Sequence, residues 1–141
     1  MTKTVHILLV EDDDIDAEIV SRSFVKMKIA NPISRARDGI EALEMLHGEN
    51  GHDQIPSPNL LLVDLNMPRM DGIELITELR NDPAFNKTVV FVLTTSKSEE
   101  DKIAAYDLNV AGYLFKSSVG GDFMEVINML DHYWRVVEFP V

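Results

Sequence analysis

Carboxylates crowd the two places in this sequence where an apolar run stops. The first run, Val5 to Val10, ends in Glu11-Asp12-Asp13-Asp14, and the third, Leu60-Leu61-Leu62-Val63, ends in Asp64. In an open parallel sheet, ligands sit beyond the carboxyl ends of the strands, near the point where strand order reverses. Both acidic groups would therefore meet at one edge. Carboxylates gathered so closely raise one another's pKa unless a cation neutralises them. Mg2+ suits that task, taking one or two carboxylates and completing its octahedron with waters and phosphoryl oxygens, whereas a calcium loop needs more ligands at close spacing. An Asp carboxylate can itself attack phosphorus, and once a metal and an ammonium neutralise the phosphoryl oxygens no general base is needed. Plainer roles exist for the same residues. Asp12 to Asp14 would suit a helix start as caps and dipole partners. Asp64 could cap the next turn, although a charge closing four apolar positions is rarely placed for packing.

Positioning these groups requires a sheet, and the sequence alternates short apolar runs with segments of helical period, the pattern of βα units feeding a parallel sheet covered on both faces. Five strands are expected, over Val5–Val10, Ile33–Ala36, Asn59–Asp64, Val89–Leu93 and Gly112–Phe115. The first helix runs from about Asp14 to Lys28, with Ala17, Val20, Phe24 and Met27 on one stripe. Ile40, Leu43 and Leu46 face inward from a second helix starting near Gly39, and Ile73, Ile76 and Leu79 from a third starting near Asp71. The fourth opens at Ser98 with Asp101 placed to complete a capping box, and Glu99 and Glu100 sit at the favourable end of its dipole. The fifth runs from about Asp122 to Trp134, with Phe123, Val126, Ile127, Leu130 and Trp134 inward. Gly48 to Pro58 shows no periodic apolar signal and reads as a long surface loop. After the last helix, Val137, Phe139 and Val141 alternate with Glu138 and Pro140, so a strand-like arm is expected, the alternative being a tail folded back on its own domain or frayed.

Composition narrows what such a site can serve. With 141 residues, 45% of them apolar and 26% charged, the chain has material for one core and no room for a second domain of ordinary size. A net charge of −11 argues against partners bound through phosphate neutralisation, so no nucleic acid is expected. The absence of cysteine removes disulfides, thiolate nucleophiles and Cys-ligated metals. Val5 to Val10 is too short to span a bilayer, and the acidic residues after it are unlike a signal-peptide cleavage region, so a cytoplasmic protein with no membrane segment is expected.

The string Asp64-Leu65-Asn66-Met67-Pro68-Arg69-Met70-Asp71-Gly72 resembles the receiver-domain signature D-x-x-M-P-x-M-D-G of two-component response regulators, and Glu11-Asp12 resembles that family's acidic pair. Thr94 and Lys116 fall where the family places its other landmarks, thirty and fifty-two residues after Asp64, and the likeness covers residues 4 to about 134. It implies an α/β fold, a flavodoxin-like doubly wound five-stranded parallel sheet in the order 2-1-3-4-5 with five helices. Residues 1–134 would be the receiver domain and 135–141 a C-terminal arm. Carried over by position, it implies Asp64 as phosphoacceptor, with Glu11, Asp12, Asp64 and the main-chain carbonyl of Asn66 as Mg2+ ligands. Thr94 and Lys116 would bind the phosphoryl group, Tyr113 would be the switch aromatic, and a histidine kinase the phosphodonor. The long loop before the third strand, the string Leu93-Thr94-Thr95-Ser96 and the Trp134-bearing tail resemble receiver-only regulators paired with bacterial phytochrome kinases, which implies a bacteriophytochrome as that kinase. Plainer readings remain: Thr94 as a β-branched strand residue with Thr95 as its rival by one position, Lys116 as a solvated lysine, Tyr113 as a half-buried strand aromatic. One departure is evident. The family usually follows its lysine with a cis proline, and here Ser117 stands there; a non-proline cis bond costs about 3 kcal/mol, and a trans bond would bring Lys116 in from another angle.

Other classes fit less well. A Mg2+-dependent phosphatase of the haloacid-dehalogenase type needs a second Asp two residues after the first, where this chain has Asn66. A flavin-binding module needs a Ser/Thr/Gly-rich cradle after the first strand, where four acidic residues stand. An adaptor of receiver fold that is never phosphorylated is opposed only by the joint presence of the acidic pair, Asp64, Thr94 and Lys116. With no effector domain after the fifth helix, the expected output is a changed interaction surface and not an enzyme activity beyond self-phosphorylation and dephosphorylation. A homodimer through the C-terminal arm, anchored at Trp134, is expected.

Overall fold

Strands that are apolar at nearly every position need a helix layer on each face, and both layers are present. In the computed structural model, which describes residues 4–57, 59–116 and 123–140, five strands alternate with five helices: β1 (His6–Val10), α1 (Asp14–Lys26), β2 (Ile33–Ala36), α2 (Gly39–His47), β3 (Asn59–Val63), α3 (Gly72–Arg80), β4 (Val89–Thr94), α4 (Glu99–Asp107), β5 (Gly112–Phe115) and α5 (Phe123–Val136). All strand pairs are parallel, in the order β2-β1-β3-β4-β5. This is the flavodoxin-like doubly wound sheet that the sequence implies. From β1 the chain first adds β2 on one side and then β3 on the other, so the crevice of the topological switch opens beyond the carboxyl ends of β1 and β3. Val10 is in register with Val63, and the Asp64 N–H donates to the Val10 carbonyl at 3.0 Å. The two acidic run-ends are thereby locked side by side.

Period-two alternation divides the core. Ile7, Leu9, Leu60, Leu62, Phe91 and Leu93 pack with Ala17, Val20 and Phe24 of α1 and with Ile127, Leu130 and Trp134 of α5. Leu8, Val10, Leu61, Val63, Val90 and Val92 pack with Ala42, Leu46, Leu75, Ile76, Leu79 and Ala105 from α2, α3 and α4. Of the expected inward residues, Met27, Ile40, Leu43, Ile73 and Val126 are only half-buried, and Ala42 and Leu75 are buried instead. In α3 the difference has a steric cause: the helix touches both α2 and α4, so its buried face takes in Leu75 beside Ile76 and Leu79.

Asp13, Asp38, Asp71 and Ser98 cap the starts of α1 to α4. The reciprocal box forms at α3, between Asp71 and Glu74, and not at α4. There Ser98 Oγ accepts from the Asp101 N–H at 3.3 Å, but the Asp101 carboxylate accepts from Ser96 Oγ at 2.5 Å. The long loop after α2 is less superficial than expected. Ile55 is buried, its N–H donating to the Met45 carbonyl at 3.0 Å. An isolated apolar residue anchors this loop, and periodicity cannot reveal an isolated residue.

The chain end departs from expectation. Residues 137–140 form no strand. Phe139 folds back, its ring edge-on to Tyr133 at a centroid separation of 6.1 Å, and joins the α1/α5 core layer. Trp134, expected at an interface, is buried in that layer against Phe24, ring centroids 5.8 Å apart, with its indole N–H donating to Asp131 Oδ1 at 3.1 Å. Burying an aromatic within its own chain is favoured over leaving it exposed for a partner. The expected start of the last helix at Asp122, the Phe123 side chain, Val141 and the Lys116–Ser117 peptide lie outside the described residues. None of the described helices is long and apolar enough to cross a membrane.

Gly72, the first residue of α3, is required by a close approach. A Cβ there would lie 2.5 Å from the Asp64 carbonyl oxygen and 2.8 Å from Leu65 Cα, both backbone atoms that cannot rotate away. Gly72→Ala is therefore expected to destabilise the fold by about 1–3 kcal/mol despite alanine's helix preference. Urea denaturation measures it, and a midpoint unchanged or raised would show that the segment after Asp64 yields without strain.

Candidate functional site

Three carboxylates meet where β1 and β3 end. Glu11, Asp12 and Asp64 each offer an oxygen within 4.8 Å of the others. Glu11 is 3% exposed and Asp64 7%, while Asp12 faces solvent. The roles left open for the acidic run divide residue by residue. Asp13 is the cap, accepting from the N–H groups of Ile15 at 2.8 Å and Asp16 at 3.0 Å. Asp14 pairs with Arg35 at 2.7 Å and Arg37 at 3.0 Å, and those guanidinium groups hold its carboxyl below the usual range. Glu11 and Asp12 are left to the crevice.

Lys116, directly after β5, extends its ammonium into this cluster. Its Nζ lies 2.5 Å from Glu11 Oε1, 2.8 Å from Asp16 Oδ2 and 3.4 Å from Asp64 Oδ2. Burial pushes the Glu11 carboxyl up to about 7, the nearby Asp64 charge adding to the rise and the contact with Lys116 opposing it. Burial alone would pull Lys116 down, but the hydrogen bonds to Asp16 and Glu11 and the Asp64 charge outweigh it and hold the ammonium above its ordinary value. The donor set is all hard oxygen and carries more negative charge than one ammonium offsets. Such a set fits a divalent cation of the Mg2+ or Mn2+ type, with Glu11, Asp12 and Asp64 to hold it.

Asn66 is exposed in the loop after β3, its N–H 3.4 Å from Asp64 Oδ1. Thr94 closes β4 and is fully buried, whereas Thr95 is exposed, which favours Thr94 over its neighbour as the strand-end hydroxyl. Its Oγ1 accepts from the Ser96 N–H at 3.2 Å and is not bonded to Asp64. Tyr113 on β5 donates its hydroxyl to the Ser96 carbonyl at 3.0 Å, with its ring edge-on to Phe115. Thr94 and Tyr113 thus grip the two sides of one residue in the β4–α4 loop.

Four supporting contacts were not foreseen. Asp16 partners Lys116; in sequence it is indistinguishable from any first-turn acid. Arg35 donates from Nε to the Glu11 carbonyl at 2.9 Å while holding Asp14, so β2 fixes the acidic loop from the side. Ser96 joins Thr94, Tyr113 and Asp101. Arg69 sits in the loop after Asp64 at φ +63, a left-handed conformation uncommon for a residue with a side chain, and clamps Asp38 through Nε at 2.6 Å and Nη2 at 3.0 Å. Asp38 is buried and caps α2. Burial raises its carboxyl, yet Arg69 and the capping N–H groups more than reverse this and hold it below the usual carboxylate value. The charge alternation of Arg35 and Arg37 against the acidic run was a visible signal; nothing in sequence pairs Asp38 with Arg69.

The comparisons with known proteins agree with this geometry. Residues 7–128 match the family model described as the response regulator receiver domain. Response regulator Rcp1 of Synechocystis is 37% identical over 128 residues, covering 91% of this chain and 87% of that protein. The crystal structure of the phosphorylated cyanobacterial phytochrome response regulator RcpA superposes with a TM-score of 0.88 at 30% identity, covering 99% of this chain and 100% of that one. The Mn2+-bound form of Rcp1 superposes with a TM-score of 0.86 at 36% identity, covering 97% and 99%. The chain belongs to the response regulator receiver family and is related to the phytochrome response regulators.

Proposed function

We propose that this receiver is an aspartyl-phosphate switch in which Asp64 accepts the phosphoryl group and Glu11, Asp12, Asp64 and the Asn66 main-chain carbonyl hold Mg2+. The observation that carries the reading is the convergence of a buried Asp64 carboxylate, two further carboxylates and one ammonium at the carboxyl edge of the sheet. Bound there, the cation would neutralise phosphoryl oxygens. An Asp64 oxygen forms the new O–P bond as the P–N bond of a donor phosphohistidine breaks, and the imidazole nitrogen leaves with the electron pair and takes up a proton. Lys116 neutralises another oxygen, and Thr94 turns its O–H to donate to a third, carrying with it the Ser96 N–H that its lone pair accepts. Tyr113, bonded to the same residue, follows that movement of the β4–α4 loop and changes the surface of β5. The donor is a histidine kinase, and relatedness to RcpA and Rcp1 supports a bacteriophytochrome in that role. Residues 1–134 act as the receiver, in the cytoplasm and without enzymatic action on other substrates. A homodimer would use the end of α5 and the residues after it, where Met129, Val136 and Val137 are exposed, and not the Trp134 ring.

Acetyl phosphate with Mg2+ is expected to add one phosphoryl group to the wild-type chain and none to Asp64→Asn, with mass spectrometry as the readout. Full labelling of Asp64→Asn, or of wild type in excess chelator, would return the acidic pair to a capping role.

The raised Glu11 carboxyl has a signed consequence. Its folded pKa of about 7 lies above the unfolded value, so the neutral acid favours the folded state and this contribution is lost as pH rises through about 7. Without divalent metal, the melting temperature should fall more steeply from about pH 5 to about pH 7 in wild type than in Glu11→Gln. The comparison cancels the parallel contribution of His47, whose pKa is raised chiefly by its hydrogen bond to Asp82. Identical slopes would mean that Glu11 is already ionised. For the dimer, light scattering at matched concentration is expected to show a mass near twice the monomer, falling after deletion of residues 136–141. A monomeric full-length chain in both phosphorylation states would end that part of the proposal.

A further inference from the structure

An ammonium has three N–H donors and no acceptor, and three carboxylates surround the one on Lys116. Two of them, Glu11 and Asp64, also belong to the cluster that can hold a divalent cation, so their oxygens have a second claimant. Asp16 does not belong to that cluster. Its Oδ2 lies 2.8 Å from Nζ, closer than Asp64 at 3.4 Å. It stands in the first turn of α1, where the Asp13 cap fixes its backbone by accepting its N–H at 3.0 Å. The carboxylate is about a third exposed while Lys116 is mostly enclosed, so Asp16 approaches the lysine from the solvent side and Asp64 from within.

From this arrangement we infer that Asp16 is a positioning residue for Lys116, tethering its ammonium beside Asp64 so that one N–H faces the incoming phosphoryl oxygen. The inference rests on the reading of Asp64 as phosphoacceptor. It assigns work to α1 that the acidic pair cannot do, because Glu11 and Asp64 give up oxygens to the cation and the phosphoryl group while Asp16 gives up none. A long lysine side chain released from its tether regains rotamer freedom and must be re-ordered in each transfer. The alternative is that Asp16 is only a favourable first-turn acid. That role would be independent of Lys116.

The test is a double-mutant cycle on the full chain, with two readouts. Asp16→Ala should slow acetyl phosphate labelling of Asp64 about tenfold, the cost of re-ordering one lysine side chain in each transfer, and should add no further slowing in a Lys116→Ala background. Asp16→Asn, which keeps the shape and the acceptor oxygen without the charge, should fall between wild type and Asp16→Ala. The second readout needs neither metal nor phosphodonor: acetic anhydride should acylate Lys116 faster in Asp16→Ala than in wild type, by peptide mapping. Equal slowing in both backgrounds, or an unchanged labelling rate with unchanged acylation, overturns the tether. If wild type itself fails to label while Lys116 acylation still depends on Asp16, the tether stands and the phosphoacceptor reading falls.

Discussion

Everything at the carboxyl edge follows from one electrostatic constraint: more buried negative charge than the fold can hold unaided. Glu11 and Asp64 are both nearly inaccessible, and ionised carboxylates in that setting are strongly unfavourable unless cations balance them. Lys116 supplies one positive charge. The remaining imbalance appears as the upward shift of Glu11, driven first by burial and then by Asp64. A site that must protonate a carboxylate or take up a divalent ion is poised to bind one. The same imbalance opposes the approach of any further anion, a phosphoryl group included, unless positive charge accompanies it.

Such a cluster works only if its backbone cannot relax away from it, and the surrounding contacts supply that rigidity. β1 and β3 are in register up to Val10 and Val63. Arg35 reaches from β2 to the Glu11 carbonyl and to Asp14. On the other side, the segment after Asp64 is pinned at three points: Gly72 against the Asp64 carbonyl, the Gly72 N–H on the Leu65 carbonyl at 3.0 Å, and Arg69 on Asp38. The left-handed backbone at Arg69 costs about 1 kcal/mol or more, and a bidentate pair with a buried capping carboxylate is an interaction of the size needed to offset it.

The parts of the molecule that were legible in sequence are those governed by short-range periodicity. Strand bounds came within a residue, because runs such as Leu60 to Val63 admit few other roles, and the caps at Asp38, Asp71 and Ser98 are local chemistry. The acidic run and Asp64 were legible as a cluster because parallel topology brings strand ends together whatever the loops do. Contacts between residues far apart in sequence were not legible: Asp16 to Lys116, Arg69 to Asp38, and Ile55 tucked beneath its own loop. The tail shows the same limit from the other direction. Val137, Phe139 and Val141 alternate as a strand would, yet Tyr133, one helical turn before Val137, offered Phe139 an aromatic edge within its own chain. Alternation reports which residues share a side, and says nothing of what that side meets.

On the proposed reading of Asp64 as phosphoacceptor, the charge added there would reach a surface through Ser96. Its N–H donates to Thr94, its carbonyl accepts from Tyr113, and its hydroxyl donates to Asp101 at the start of α4. Thr94 is buried beside the crevice, and its Oγ1 accepts from Ser96 through a lone pair while it keeps its own O–H to donate, so the contact with Ser96 and one with a phosphoryl oxygen would share a single rotor and not a single lone pair. On the proposed reading, turning that hydroxyl toward a phosphoryl group on Asp64 would re-aim the lone pair that Ser96 uses, and Tyr113 and Asp101, bonded to the same residue, would shift with it. Asp101 lies on α4, whose outer face exposes Ile103 and Tyr106, and Tyr113 lies on the neighbouring β5. On that reading, a rearrangement confined to a few hydrogen bonds at one residue would change what the α4 face presents while the sheet that carries Asp64 stays as it is.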